Sequence, residues 1–302
     1  MNARPRGAAI VMAMAVVAMA ALAATALLLS QSTWARRLEL ATQRSQAQRG
    51  LEAGLDWSRA LLHDDLRASQ TDHPGEPWAM SLPPIPIEGG ELAGRIEDQQ
   101  ARFNLNNVVR DGVVDPVQEE CLRRLLARLG LPAPLAASLG DWLDADGLAQ
   151  GGAEDAYYLA QATPTLAANR PLTDLAELAR VRGFEPAVRE RLRPFVTALP
   201  RPTAVNVNTA SAEVIEALVP GLGPEAARAL VAARERSPYL DRSGFLGRLP
   251  EGVRLAPELI SVNSEYFQVD FSVQVHGARV RGTALLVRDS ASWPRVAWRK
   301  FP

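Results

Sequence analysis

RPRGAAIVMAMAVVAMAALAATALLLS, residues 4–30, decides the architecture of this chain. From Ala8 to Ser30 it contains no charge and no proline, and those 23 residues, at ~1.5 Å each, make a helix of roughly 35 Å. A bilayer's hydrocarbon core is only ~30 Å thick. Arg4 and Arg6 precede the run, which by the positive-inside rule puts that end in the cytoplasm and everything after Trp34 outside it. A cleaved secretory signal is the alternative, with ALAAT at 21–25 as its processing site. Signal cores span ~7–15 apolar residues, whereas here the apolar character passes straight through that site.

Working outward, Trp34 to Asp65 lacks proline and places Leu51, Leu55 and Leu62 on one helical face, so the helix is expected to continue. Gly50 and Gly54 weaken it. Residues 69–90, with five prolines and three glycines, read as an irregular connection, and 91–105 as a strand. Near the other end YFQVDFSVQVH, residues 266–276, alternates: Phe267, Val269, Phe271, Val273 and Val275 share one face. His276-Gly277 supplies a turn, 279–288 a returning strand, and 295–301 a short third one. Everything between about 108 and 262 has helical patterning. The expected fold is therefore α+β: a long N-terminal helix, residues 8–66 with its membrane part at 8–30, packed on a small antiparallel sheet. The sheet comes in two parts, 67–107 and 263–302, separated by an inserted all-α domain at 108–262. Within the insert, 169–196 and 206–247 share an order of polar cap, helix, glycine turn and helix, which suggests a weak internal repeat.

Composition excludes several functions. A net charge of −1 over 302 residues argues against a general polyanion binder. One cysteine, Cys121, forbids an internal disulfide, and its apolar helical context predicts a buried, inert thiol. No Walker A, GxSxG or HExxH motif is present, and the three histidines are scattered. The densest chemistry lies in DWLDADGLAQGGAEDAYY, residues 141–158, where Asp141, Asp144, Asp146, Glu154 and Asp155 crowd among three glycines. So many like charges repel unless a cation sits among them, and calcium takes six to eight oxygen ligands. An EF-hand alignment on Gly147 fails, because it puts Trp142 at the first ligand position and Ala153 at the twelfth. A solvated acidic loop, or carboxylates capping helices, is the competing reading. VPGLGPEAARAL, residues 219–230, resembles a helix-hairpin-helix turn that could hold a phosphate. Its surroundings, residues 203–250, carry five acids and five arginines, so the basic footprint such binding needs is missing.

Taken in order, RGAAIVMAMAVVAM, ARFNLNNV, DWLDADG…GAEDAYY, NRPLTDLAELARVRGF, AVNVNTASAEVIEAL and SEYFQVDFSV resemble the K-class minor pseudopilins of bacterial type II secretion over nearly the whole chain. The resemblance implies a pilin-like helix and sheet interrupted by a helical domain, and a subunit that is not an enzyme. It implies a leader, residues 1–7, cut by prepilin peptidase between Gly7 and Ala8, although Ala8 stands where phenylalanine is common. It implies calcium held by Asp144, Asp146, Glu154 and Asp155, with Asp141 a weaker ligand. Met12 falls where most pilin-type subunits carry a glutamate, and this marks a place at the filament tip with no subunit above. The implied partners are the I-, J- and H-class minor pseudopilins, the major pseudopilin and the peptidase. The implied location is a single pass of the inner membrane with the bulk of the chain in the periplasm, serving export of folded proteins across the outer membrane. No nucleic acid is expected; the rival reading is a membrane-anchored periplasmic DNA-binding protein using residues 206–247.

Overall fold

A computed structural model describes residues 6–275, 278–289 and 292–301 of the chain; Arg4 and the expected turn at His276-Gly277 lie outside them. One helix, α1, runs unbroken over Arg6–Ala68. Its apolar half stands clear of the other described residues: Ile10, Met12, Leu22, Leu29 and Trp34 are all exposed. Packing starts at Ala47 and continues through Leu51, Leu55 and Leu62, all buried, so the outer half of the helix carries the globular body.

That body begins with an antiparallel sheet of five strands in the order β1-β2-β3-β4-β5, formed by Leu82–Ile87, Gly90–Asp98, Tyr266–Val275, Ala278–Val287 and Arg295–Lys300. The alternating residues of β3 bury Phe267, Val269, Phe271, Val273 and Val275 against α1. Each fully buried side chain of this size stabilises by roughly 1.5–3 kcal/mol. Gly50 and Gly54 face this layer. A Cβ on Gly50 would lie 3.1 Å from Val273, and one on Gly54 3.0 Å from Phe271. The two glycines weaken the helix locally but let the sheet approach its axis.

Two sequence expectations change here. The connection at 69–90 is not wholly irregular, because Leu82–Ile87 forms β1 at the sheet edge, where the missing N–H groups of Pro83, Pro84 and Pro86 do no harm. The strand expected at 91–105 stops at Asp98, whose carboxylate accepts the Gln100 N–H at 2.7 Å and turns the chain into a short 3-10 helix.

The insert leaves the sheet at the end of β2 and returns at the start of β3, where Asp98 pairs with Phe267. Along α1, Gly50 meets Val273 and Asp65 meets Arg288, just past β4, so the insert sits on the end of the sheet farther from the apolar half of the helix. It has its own core, from Phe103 and Leu105 to Leu259 and Ile260.

Two repeats build it, in a register different from the one the sequence suggests. In the first, Asn106 accepts the Leu172 N–H at 2.8 Å and donates to its carbonyl at 2.9 Å. In the second, Asn208 does the same to Tyr239, at 2.8 and 2.9 Å. Each clamp follows a buried asparagine two residues earlier, Asn104 or Asn206, whose side chain accepts the N–H of the clamp residue. Phe103–Asn104 pairs in parallel with Val196–Thr197, and Val205–Asn206 with Ile260–Ser261. Helix α2 (Pro116–Arg128), Gly130 and α3 (Pro134–Leu143) of the first unit correspond to α6 (Ala212–Leu218), Gly221 and α7 (Pro224–Arg236) of the second. Gly130 and Gly221 both take positive φ, +63° and +75°. The segment at 175–180 is a 3-10 helix, not the helix the earlier pairing required. Helices α4 (Asp155–Leu159) and α5 (Pro186–Leu192) have no counterpart in this correspondence. The acidic turn is an addition to the first repeat, between α3 and the Leu172 clamp.

Candidate metal centre

The acidic turn begins as α3 ends. Asp144 is the C-cap residue and leaves the helix in an extended conformation. The loop that follows is pinned from several sides. Ala145 N–H donates to the Gly112 carbonyl at 2.9 Å, Asn169 N–H to that of Trp142 at 3.0 Å, and the Asn169 side chain to that of Asp146 at 3.3 Å. Below it, Trp142 and Tyr158 meet edge-on with centroids 4.9 Å apart. Gly152 passes so close to α3 that a Cβ there would lie 2.5 Å from the Ser138 Cα. Only glycine fits.

This framework brings Asp144, Asp146 and Glu154 together, each offering an oxygen within 4.8 Å of the others. Two oxygens bound to one calcium at 2.3–2.6 Å can be at most about 5 Å apart, so the spacing suits a shared ion. Asp144 is 1% exposed and Glu154 7%, yet Asp144 Oδ1 and both Glu154 oxygens have no hydrogen-bond partner. Unpartnered buried carboxylate oxygens are costly. Burial first, then the neighbouring Asp146 and Asp141, raise Asp144 to about 6; burial, then Asp144, raise Glu154 to about 7. A divalent cation would reverse both shifts. The donor set therefore fits calcium, and its contribution there would be to staple α3, the loop and α4 together.

Asp141 and Asp155 fall outside the cluster. Asp141 accepts the N–H groups of Gln150 at 3.0 Å and Gly152 at 2.9 Å, and Asp155 accepts that of Ala167 at 2.9 Å. They shape the loop, and Asp141 adds its charge to the site. Spacing along the chain does not distinguish these roles.

A second acidic group, Asp65, Asp72 and Glu76, is fully buried and equally close-set. It already has a cation. Arg288 reaches Asp65 at 2.8 Å and Asp72 at 2.6 Å, lies 4.6 Å from the Phe267 ring centroid, and donates to the Ser264 carbonyl at 3.0 Å. Nearby, Asp98 accepts from Ser264 at 2.7 Å and from Asn206 at 3.0 Å. These bonds join α1, the sheet and the insert. Sequence reading missed this joint because its members are scattered from 65 to 288 and no local pattern unites them.

The other candidates carry less. Cys121 is buried, and burial pushes its thiol up. At the hairpin-like turn, a Cβ on Gly221 or Gly223 would meet nothing, so the turn is open, but Glu225 pairs with Arg228 and cancels its charge. Gly7 and Ala8 lie in the first turns of α1, ahead of the exposed Met12.

Comparison with known proteins agrees with this geometry. Models of the type II secretion system (T2SS) protein K family match residues 101–201 and 205–266, which are close to the two repeats. The chain belongs to the type II secretion system protein K family. It is 36% identical over 307 residues to type II secretion system protein K of Pseudomonas aeruginosa, covering 97% of this chain and 92% of that one. Against the protein of the same description from Klebsiella pneumoniae the figures are 31% over 317 residues, 99% and 97%. Among solved structures, the GspK-GspI-GspJ complex from the enterotoxigenic Escherichia coli type 2 secretion system matches with a TM-score of 0.78 at 28% identity. That match covers 88% of this chain and 99% of the solved chain. The long helix, small antiparallel sheet and helical insert are thus the protein K fold, and the apolar half of α1 fits a single-pass membrane anchor.

Proposed function

We propose that this chain is the minor pseudopilin at the tip of the type II secretion pseudopilus, a structural subunit that nucleates assembly for export of folded proteins across the outer membrane. The observation that carries the reading is the position of the insert: a two-repeat body on the end of the sheet away from the membrane half of α1. A subunit stacked above would meet that body instead of a free helix.

Met12 supports the same place. A carboxylate at that depth in lipid costs roughly 2.5–3.5 kcal/mol unless it is paired. In a filament its partner is the terminal ammonium of the subunit above, and a subunit with none above does better with methionine. Prepilin peptidase removes residues 1–7, leaving Ala8 as the terminus of a helix still in the inner membrane. I- and J-class subunits, the companions named for the solved relative, pack against the exposed part of α1, with H-class and major pseudopilins below. Calcium holds the turn of Asp144, Asp146 and Glu154 in the periplasm. Gold labelling of the insert on assembled pseudopili tests the placement: label confined to one end is expected, and label along the shaft overturns it.

A further inference from the structure

The two edges of the sheet are chemically unequal. β1 presents Pro83, Pro84 and Pro86, which have no N–H to offer an added strand. β5 has no proline, and among the described residues its backbone hydrogen bonds run only to β4. All its residues but Trp298 are exposed, and it carries Arg295, Arg299 and Lys300 with no acid. Their carboxylate neighbours, Asp289 at 3.6 Å, Glu52 at 3.9 Å and Asp174, leave the three side chains 57%, 54% and 63% exposed.

A second copy is a poor occupant. Two β5 strands side by side would set cation against cation, which destabilises a cross-strand pair, and the proline edge cannot take β5 instead. Growth through copies of this chain is closed in both directions.

We propose that β5 is a docking edge for an extended, acid-bearing segment of another pseudopilus subunit, which adds to the sheet as one further strand. Main-chain bonds give such an addition its affinity, and alternate side chains give it specificity. The edge lies on the side of the assembly: Arg299 stands beside Glu52 of α1, and Phe301 packs close to Gly282, which also faces Leu51. A neighbour lying along α1 therefore reaches β5 from the helix side, opposite the face on which Lys300 pairs with Asp174 of the insert.

This inference rests on the partner reading above, and one experiment separates them. The full-length protein in detergent is mixed with its I- and J-class subunits, and hydrogen exchange is followed residue by residue. Capture with exchange at 295–300 slowed roughly tenfold or more is expected. Arg295→Glu with Arg299→Glu should weaken capture by about tenfold and remove its salt dependence. Capture with exchange at β5 unchanged overturns the docking edge and leaves the partners standing. No capture overturns both. Protection of β5 in this protein alone, growing with its concentration, would show a second copy there and overturn it too.

Discussion

Arg288 places its Nη1 2.8 Å from a carboxylate oxygen of Asp65, 223 residues earlier in the chain. One residue lies just past the end of β4, the other in the last turns of α1, and Asp72 closes the set from the connection between them. Burial raises Asp72 to about 7 despite the guanidinium, and raises Asp65 as well. Arg288→Met leaves buried carboxylates without their cation, a change that costs about 3–5 kcal/mol. The full loss is expected at pH 7.5 and a smaller one at pH 5, where the folded protein binds a proton at Asp72 and shed charge relieves the cost. Denaturant unfolding at the two pH values measures it; equal losses would count against the joint.

Without calcium, Asp144 and Glu154 titrate near 6 and 7 in the folded protein, well above unfolded carboxylates. Between about pH 4 and 7 the folded state then holds more protons than the unfolded one, so stability falls as pH rises through that window. Calcium needs ionised ligands, so its binding releases protons and tightens with pH. In chelator Tm should drop from pH 5 to pH 8. In millimolar calcium the drop should shrink, and Asp144→Ala with Asp146→Ala should make melting indifferent to calcium. Superimposable melting curves with and without chelator at pH 7.5 would remove calcium from the turn.

Gly152 supplies no ligand oxygen, yet Gly152→Ala is expected to weaken calcium binding by tenfold or so. The added methyl would lie 2.5 Å from the Ser138 Cα and 2.6 Å from the Ala137 carbonyl oxygen, so the loop must lift off α3. Overpacking of this kind costs about 1–3 kcal/mol. Calorimetric titration checks it, with Gly147→Ala, where a Cβ meets nothing, as the tolerated control.

Met12→Glu should reduce secretion less than deletion of the Ala8–Leu29 helix, since the first adds a cost of roughly 2.5–3.5 kcal/mol and the second removes the anchor. Secretion assays and the mature N-terminal sequence, with and without prepilin peptidase, read both. Equal defects, or a protein starting beyond residue 24, would contradict the tip model.

Much of the fold was legible where a period ran uninterrupted. The apolar run to Leu29 and the alternation of Phe267 to Val275 each specify their own element, and both stand as read. The glycines were legible only in part: Gly50 and Gly54 look like flaws in a helix until the sheet that needs them is present. The helices alone suggest a repeat in the wrong register, because its signature is the pairs Asn104/Asn106 and Asn206/Asn208, which resemble ordinary polar positions in the absence of their clamps on Leu172 and Tyr239. In the acidic turn, composition points to the segment whose carboxylates the fold brings together. It did not separate Asp144 and Glu154, whose oxygens are unpartnered, from Asp141, whose oxygens bind backbone amides.

The stretch of α1 between Ser30 and Ala47 has one more consequence. Its residues 31–42 are all exposed, a run of roughly 18 Å at ~1.5 Å per residue. The headgroup layer accounts for only about 5–8 Å of that. The globular body is therefore held on a bare stalk well above the lipid surface, with a clear overhang beneath it. In the filament proposed above, a neighbour's shoulder would slide into that space while both anchors remain in the bilayer, so the first contacts would form before any subunit has to be pulled out of the membrane.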